Sequence, residues 1–218
     1  MRGFIFDMDG CLLHSIHIWH EAEQHIMDQA HVSLTKEQRD ELNALTLEEA
    51  GEFFHERFGL MESGADVVQA IVDYMLDFYR NSVETNPGVY ELVSALHAAG
   101  APMCVLSSSP QSFLQAGLGH TGLKRFFPDD MIISADDAGL TKRNVSTFEY
   151  VCNKLGTDPA DTWLFDDSWY ACATAQKAGL HVVGTFSMDG CGTHEELGRY
   201  SEAVIDDFTD PVLKDLLA

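Results

Sequence analysis

The sequence predicts an α/β fold, with a mainly parallel, Rossmann-like sheet flanked by helices and a helical domain inserted near the N-terminus. Three observations support this prediction. Short apolar runs alternate with helical patterns from residue 86 onward, polar residues follow several of these runs directly, and residues 14–85 contain no strand pattern. Strands that alternate with helices form βαβ units, in which successive strands are parallel.

The first predicted strand is the apolar run Phe4–Phe6, which is followed at once by Asp7, Met8, Asp9 and Gly10. On an extended chain, side chains two residues apart point to the same side. Ligands of open α/β sheets bind beyond the carboxyl ends of the strands. Two adjacent negative charges repel unless a cation or a proton lies between them, and hard oxygen ligands suit magnesium. Taken alone, the segment is equally explained as a polar turn after a strand.

The segment between residues 14 and 85 is predicted to be entirely helical. Apolar residues recur at helical spacing over 15–31 and 66–82, and two capping boxes, Thr35 with Gln38 and Thr46 with Glu49, each open a further helix. Gly59 is predicted to end the second of these. The predicted domains are therefore a core of residues 1–13 and 86–218 and a helical unit of residues 14–85.

After the turn Asn86-Pro87-Gly88, the chain returns to alternating elements. Strands are predicted at 103–106, 131–134, 162–165 and 181–186, with a short edge strand at 203–205. Helices are predicted at 89–99, 111–116, 145–155, 170–178 and 211–217.

Composition restricts the class of partner. The formal net charge of −22 disfavours nucleic acids and anionic membranes, because both are bound mainly through Lys and Arg. Five dispersed cysteines without metal-site spacing are typical of reduced thiols in a cytoplasmic protein. No run approaches the roughly 18 apolar residues of a membrane span. No oligomeric state is predicted.

The residues that follow the predicted strands form one constellation. Asp7 and Asp9 follow the first predicted strand, and Ser107 follows the strand at 103–106. Lys142 lies in the loop after the strand at 131–134, and Asp166 and Asp167 follow the strand at 162–165. In a parallel sheet these positions share one edge. A phosphate monoester is a dianion, so a carboxylate nucleophile requires a metal and a cation beside it, and a second acid must protonate the leaving oxygen.

The same residues resemble a known family. Residues 6–10, 106–109, Lys142 and 165–168 resemble, in order and spacing, the four motifs of the haloacid dehalogenase-like (HAD) superfamily. The insertion at 14–85 resembles the family's first-position helical cap, as in the β-phosphoglucomutase and phosphoglycolate phosphatase group.

The resemblance implies a role for each motif residue. Asp7 would be the nucleophile and Asp9 the general acid/base. The phosphate would be held by Gly10, Ser107, Ser108 and Lys142. Magnesium would be bound by Asp7, the backbone carbonyl of Asp9, and the pair Asp166 and Asp167, of which Asp167 is favoured as the direct ligand. The family often has proline after its lysine, whereas in this chain Arg143 follows Lys142. Arg143 is therefore an alternative phosphate contact.

The expected function is a magnesium-dependent phosphatase acting on a small phosphorylated metabolite through an aspartyl phosphate. A phosphosugar mutase of the β-phosphoglucomutase type is the alternative within the fold, although the helical segment lacks the arginine expected near residues 45–49. A phospho-aspartate binding switch or a pseudoenzyme is the alternative from another class. Dehalogenation needs no metal, and the retained acidic residues disfavour it.

Overall fold

The computed structural model describes residues 1–42 and 45–217. The chain forms two compact units, one comprising Met1–Ile16 with Tyr79–Ala218 and the other His17–Phe78. All strands of the described chain belong to the first unit, and the second consists of helices and their connections. Because the boundary follows Phe78, Tyr79 is part of the first unit.

The first unit is built on a sheet of six strands, which are β1 Gly3–Phe6, β2 Met103–Ser107, β3 Ile132–Ser134, β4 Thr162–Asp166, β5 His181–Thr185 and β6 Ala203–Ile205. Their order across the sheet is β3-β2-β1-β4-β5-β6, and every neighbouring pair is parallel. The predicted fold class is therefore confirmed. The central position of β1 places its end between those of β2 and β4.

Burial explains why the strands read as continuous apolar runs. Every residue of β1, β2, β3 and β4 is buried, as a parallel sheet covered on both faces requires. The ring of Phe6 stacks on that of Phe165 with centroids 5.0 Å apart, joining the two central strands.

The described residues also form ten α-helices, which are α1 His17–Gln29, α2 Lys36–Leu42, α3 Leu47–Phe58, α4 Gly64–Asn81, α5 Val89–Ala98, α6 Gln111–His120, α7 Val145–Leu155, α8 Trp169–Lys177, α9 His194–Gly198 and α10 Val212–Leu217. Val151 of α7 and Cys172 of α8 pack with Leu164 of β4 in one buried cluster. Within the described ranges, none of the helices combines the length and apolar content needed to cross a lipid bilayer.

Three local predictions in the helical segment are confirmed. The Thr46 hydroxyl accepts the Glu49 amide at 3.2 Å and the Glu49 carboxylate accepts the Thr46 amide at 2.8 Å, which completes a capping box. Thr35 and Gln38 make the same reciprocal bonds at 3.3 and 2.9 Å. Gly59 ends α3 with a left-handed φ of 66°.

Other boundaries differ from the prediction. The strands β2 and β4 each run one residue further, because Ser107 still pairs with Ser134 and Asp166 with Gly184. Helix α6 continues to His120 although two glycines weaken its propensity, and the five-residue α9 was not predicted. Helix α9 begins with a third capping box, Thr193 with Glu196. A helix of five residues is too short to show the apolar periodicity by which the longer helices were predicted.

Candidate active site

The carboxylates that follow β1 are buried. Asp7 is 5% exposed and Asp9 is 6% exposed. The amide of Asp7 donates to the carbonyl of Phe165 at 2.8 Å, so the chain leaving β1 stays attached to β4. Gly10 then adopts a φ of 74°, a left-handed conformation that turns the chain away from the strand.

Lys142 lies among these carboxylates. Its Nζ is 2.5 Å from Asp7 Oδ1 and 2.8 Å from Asp166 Oδ2, and the side chain is only 3% exposed. Burial lowers the pKa of the ammonium, but the carboxylates of Asp166 and Asp7 outweigh this and raise the pKa well above its ordinary value. The lysine therefore stays charged and neutralises part of the buried negative charge.

Arg143 occupies a different environment. Its side chain is exposed, and the guanidinium carbon lies 3.9 Å from the centroid of the Tyr170 ring, in a cation–π contact. Of the two adjacent cations, Lys142 is the one bonded to the buried carboxylates.

Asp7, Asp166 and Asp167 form a buried triad, each offering an oxygen within 4.8 Å of the others. Burial raises the pKa of Asp7 well above its ordinary range; Lys142 opposes this, and the neighbouring carboxylates add to it. Burial, followed by the charge of Asp166, raises the pKa of Asp167 to about 7. Three carboxylates this close are stable as anions only with additional positive charge.

The hydrogen bonds distinguish Asp166 from Asp167. Both oxygens of Asp166 have partners, the Ser168 amide at 2.9 Å and Lys142. Oδ1 of Asp167 accepts the Ser168 hydroxyl at 3.1 Å, while its buried Oδ2 has no hydrogen-bond partner among the described residues. The backbone of Cys191 lies near this carboxylate and lowers its pKa, but it completes no hydrogen bond to Oδ2.

Two glycines leave the space that this orphaned oxygen faces. A Cβ at Gly10 would lie 2.8 Å from Asp167 Oδ2, and one at Gly190 would lie 2.6 Å from it. An unpartnered buried carboxylate oxygen among hard oxygen donors fits a divalent cation such as magnesium. The residues present therefore fit a divalent metal ion, to which Asp7, Asp166 and Asp167 can each contribute an oxygen.

Asp9 is held by three hydroxyl groups that the sequence did not single out. Its Oδ1 accepts the hydroxyls of Ser15 and Tyr79, each at 2.5 Å, and its Oδ2 accepts that of Ser109 at 2.6 Å. Burial, followed by the Asp9 carboxylate, raises the pKa of the Tyr79 phenol well above its ordinary value, so the phenol keeps its proton and donates. Ser109 is the last residue of the predicted motif 106–109 and Ser15 lies shortly after the motif 6–10, whereas Tyr79 lies in a predicted amphipathic helix and gave no signal.

The four residues expected to hold phosphate differ in burial and in their hydrogen bonds. The Ser107 side chain is buried at the end of β2, and its hydroxyl accepts the Ser109 amide at 3.1 Å. Ser108 is exposed, and the Gly10 amide donates to the Leu13 carbonyl at 3.0 Å. Lys142 alone of the four bonds directly to the buried carboxylates.

The sequence agrees with one family over most of its length. The model of the haloacid dehalogenase-like hydrolases matches residues 4–185, which include β1 from Phe4 onward, all of β2 to β5, and the carboxylates of the candidate site. The chain belongs to this family. The predicted resemblance is confirmed, as is the prediction of an enzyme, since the haloacid dehalogenase-like proteins of this family are hydrolases.

Individual haloacid dehalogenase-like proteins resemble the chain at moderate identity. The phosphoglycolate phosphatase of Pectobacterium atrosepticum is 27% identical, with 96% of this chain and 90% of that protein covered. The fructose-1-phosphate phosphatase of Escherichia coli is 26% identical, with 83% and 94% covered. A HAD family hydrolase of Deinococcus radiodurans, solved with bound phosphate and sodium, has the same fold with a TM-score of 0.76, 20% identity, and 100% and 95% coverage.

Proposed function

We propose that this protein is a magnesium-dependent phosphatase that hydrolyses a small phosphorylated metabolite through an aspartyl phosphate on Asp7. The observation that carries the proposal is the buried bond between Lys142 and Asp7 beside an unpartnered Asp167 oxygen. A divalent cation held by these carboxylates, together with the Lys142 ammonium, would supply the positive charge that a dianionic phosphate requires. Several relatives in the family are named as phosphatases, which supports the same reaction class.

Asp7 is proposed as the nucleophile. One of its oxygens is bonded to Lys142, so the carboxylate can approach a phosphate dianion with less repulsion than an isolated aspartate. Cys11 is not a competing nucleophile, because burial and then the charge of Asp7 raise the pKa of its thiol well above the ordinary value. Cleavage of the ester bond would leave the phosphoryl group on Asp7 and the alcohol to be protonated.

Asp9 is proposed as the acid that protonates the leaving oxygen and as the base that afterwards takes a proton from water. Ser107 is proposed to donate its hydroxyl to the phosphate, and Ser108 and the Gly10 amide are proposed to contact the same group. The present bond of the Gly10 amide to Leu13 would then be exchanged for one to phosphate.

The metal is proposed to be held by the side chains of Asp7 and Asp167 and by the backbone carbonyl of Asp9. Each oxygen of Asp166 already accepts one hydrogen bond, from Lys142 or from the Ser168 amide, which supports a role in orienting the lysine. When bound, magnesium would offset the charge of the phosphate and of the attacking carboxylate.

A panel of phosphorylated metabolites tests the proposal, with free phosphate measured in magnesium and in EDTA. We expect magnesium-dependent release from at least one sugar or carboxylic acid phosphate. Asp7→Asn should retain less than about a hundredth of this activity, because an amide cannot replace the attacking carboxylate. Asp206→Asn is the matched control, since it changes an exposed carboxylate paired with His194.

Other outcomes would replace the proposal. Phosphate retained on a different oxygen of the sugar would identify a mutase, and a phosphoprotein that persists for many minutes would identify a binding switch. Substantial turnover by Asp7→Asn would remove the nucleophile assignment altogether.

A further inference from the structure

We infer that Tyr79 is a positioning residue that, with Ser15 and Ser109, orients the Asp9 carboxylate for proton transfer to the leaving oxygen. The inference rests on the proposed function, because it assigns a task to the hydroxyls around the proposed acid. It concerns a residue that makes no contribution to the metal triad.

Among the residues that the structure describes, the bonds to Asp9 leave it a single open acceptor position. An ionised carboxylate has about four acceptor positions, two on each oxygen. Ser15 and Tyr79 occupy both positions on Oδ1, and Ser109 occupies one on Oδ2. The position that is left is on Oδ2, so proton exchange with a substrate or water is confined to one oxygen.

The three donors come from separate parts of the chain. Ser15 lies in the segment that follows β1, Ser109 in the loop that follows β2, and Tyr79 in the last turn of α4. Restraints from three directions fix both the position of the carboxylate and its rotation about the Cβ–Cγ bond. A single hydroxyl would leave that rotation free.

Tyr79 is the fixed member of this set. A serine hydroxyl can turn away by changing one side-chain rotamer, whereas a phenol oxygen is placed by its ring. The Tyr79 ring is fully buried and stacks on Phe113 with centroids 5.1 Å apart. It also lies against Gly117, where an added Cβ would be 3.0 Å from the ring.

Orientation of this kind has a measurable kinetic value. Misplacing a reacting group by about 1 Å can cost roughly 100-fold in rate. Loss of the acid's orientation should matter for an alkoxide leaving group, which needs a proton as it departs. It should matter little for p-nitrophenolate, which is stable as an anion. A purely structural role of Tyr79 would lower both reactions equally.

The test compares Tyr79→Phe with wild type on benzyl phosphate and p-nitrophenyl phosphate, two probes of similar size. The measured quantity is kcat/KM, which reports the steps up to departure of the alcohol. We expect a loss of about 10-fold or more on benzyl phosphate and less than about 3-fold on p-nitrophenyl phosphate. Tyr90→Phe, which removes the hydroxyl of a ring packed against Phe126, should change neither.

A second comparison places Tyr79→Phe in an Asp9→Asn background. If Tyr79 acts through Asp9, the added substitution should change kcat/KM on benzyl phosphate less than about 2-fold. Ser15→Ala should reproduce the leaving-group dependence, and it leaves the Tyr79 ring intact.

The outcomes separate the inference from the proposed function. Equal losses on both probes, no loss on either, or full additivity with Asp9→Asn would overturn the positioning role while leaving the phosphatase intact. Absence of phosphate release from every phosphomonoester by the wild-type protein would instead overturn the proposed function.

Discussion

The triad of Asp7, Asp166 and Asp167 predicts that the metal-free protein loses stability as the pH rises. The pKa of Asp167 is about 7 in the folded protein and about 3.9 in an unfolded chain. Between these values the folded state holds a proton that the unfolded state has released, so raising the pH favours unfolding. The stabilisation is complete below about pH 4 and is lost as the pH passes through about 7.

The magnitude follows from the same two values. Between pH 5 and pH 8 this one group lowers the free energy of unfolding by about 2.5 kcal/mol. For a protein of this size, that corresponds to a fall in Tm of roughly 5–10 °C. The pKa of Asp7 is raised in the same direction, first by burial, so its contribution has the same sign.

Thermal unfolding in EDTA from pH 5 to pH 8 measures the effect. Asp167→Asn should flatten the dependence, because it removes one titrating group and relieves repulsion on Asp7. Glu62→Gln, at an exposed position, should keep the wild-type slope. Magnesium should stabilise the wild-type protein most at pH 8, where the carboxylates are ionised. Equal slopes for wild type and Asp167→Asn would refute the reasoning.

Three further predictions follow from contacts in the same unit. Lys142→Met should destabilise the protein by about 3–5 kcal/mol and abolish turnover, because it leaves buried carboxylates without their cation. Arg143→Ala, measured in the same denaturant titrations, should lower the free energy of unfolding by less than about 1 kcal/mol. Comparable losses would contradict this assignment. Gly190→Ala places a methyl 2.6 Å from the orphaned carboxylate oxygen and should weaken magnesium binding about 10–100-fold by calorimetry; unchanged affinity would count against that contact. Gly119→Ala, with nothing within 4 Å of its new Cβ, should stabilise α6 by about 0.5–1 kcal/mol. Gly117→Ala should destabilise the protein, because its Cβ would lie 3.0 Å from the Tyr79 ring. The opposite order of the two variants in thermal melts would contradict this description of the packing.

The sheet and the acidic residues were predictable because both are local in sequence. An apolar run marks each central strand, and Asp7, Ser107 and Asp166 end or follow those runs directly. Parallel topology then brings the ends together without further information. The capping boxes were predictable for the same reason, since their hydrogen bonds span only three residues.

The contacts to Asp9 were not predictable in this way. The Tyr79 phenol meets a carboxylate seventy positions earlier, and on the helical pattern alone it is one more apolar residue of α4. The distinction between Lys142 and Arg143 likewise depended on tertiary structure, because adjacent cations in a loop have no periodic pattern to separate them. Which of Asp166 and Asp167 keeps a free oxygen depended on the Ser168 amide and hydroxyl.

The boundary of the larger unit has a consequence for how such a protein can diversify. Every carboxylate, hydroxyl and ammonium of the candidate active site lies within Met1–Ile16 or Tyr79–Ala218, including both donors to Asp9 Oδ1. The chain between Ile16 and Tyr79 can therefore accumulate substitutions, or be exchanged for a different helical segment, without replacing a single group of the triad. Inheritance of the reacting groups and variation of the inserted helices are separable, and chimaeric proteins joined at these two positions would transfer one without the other.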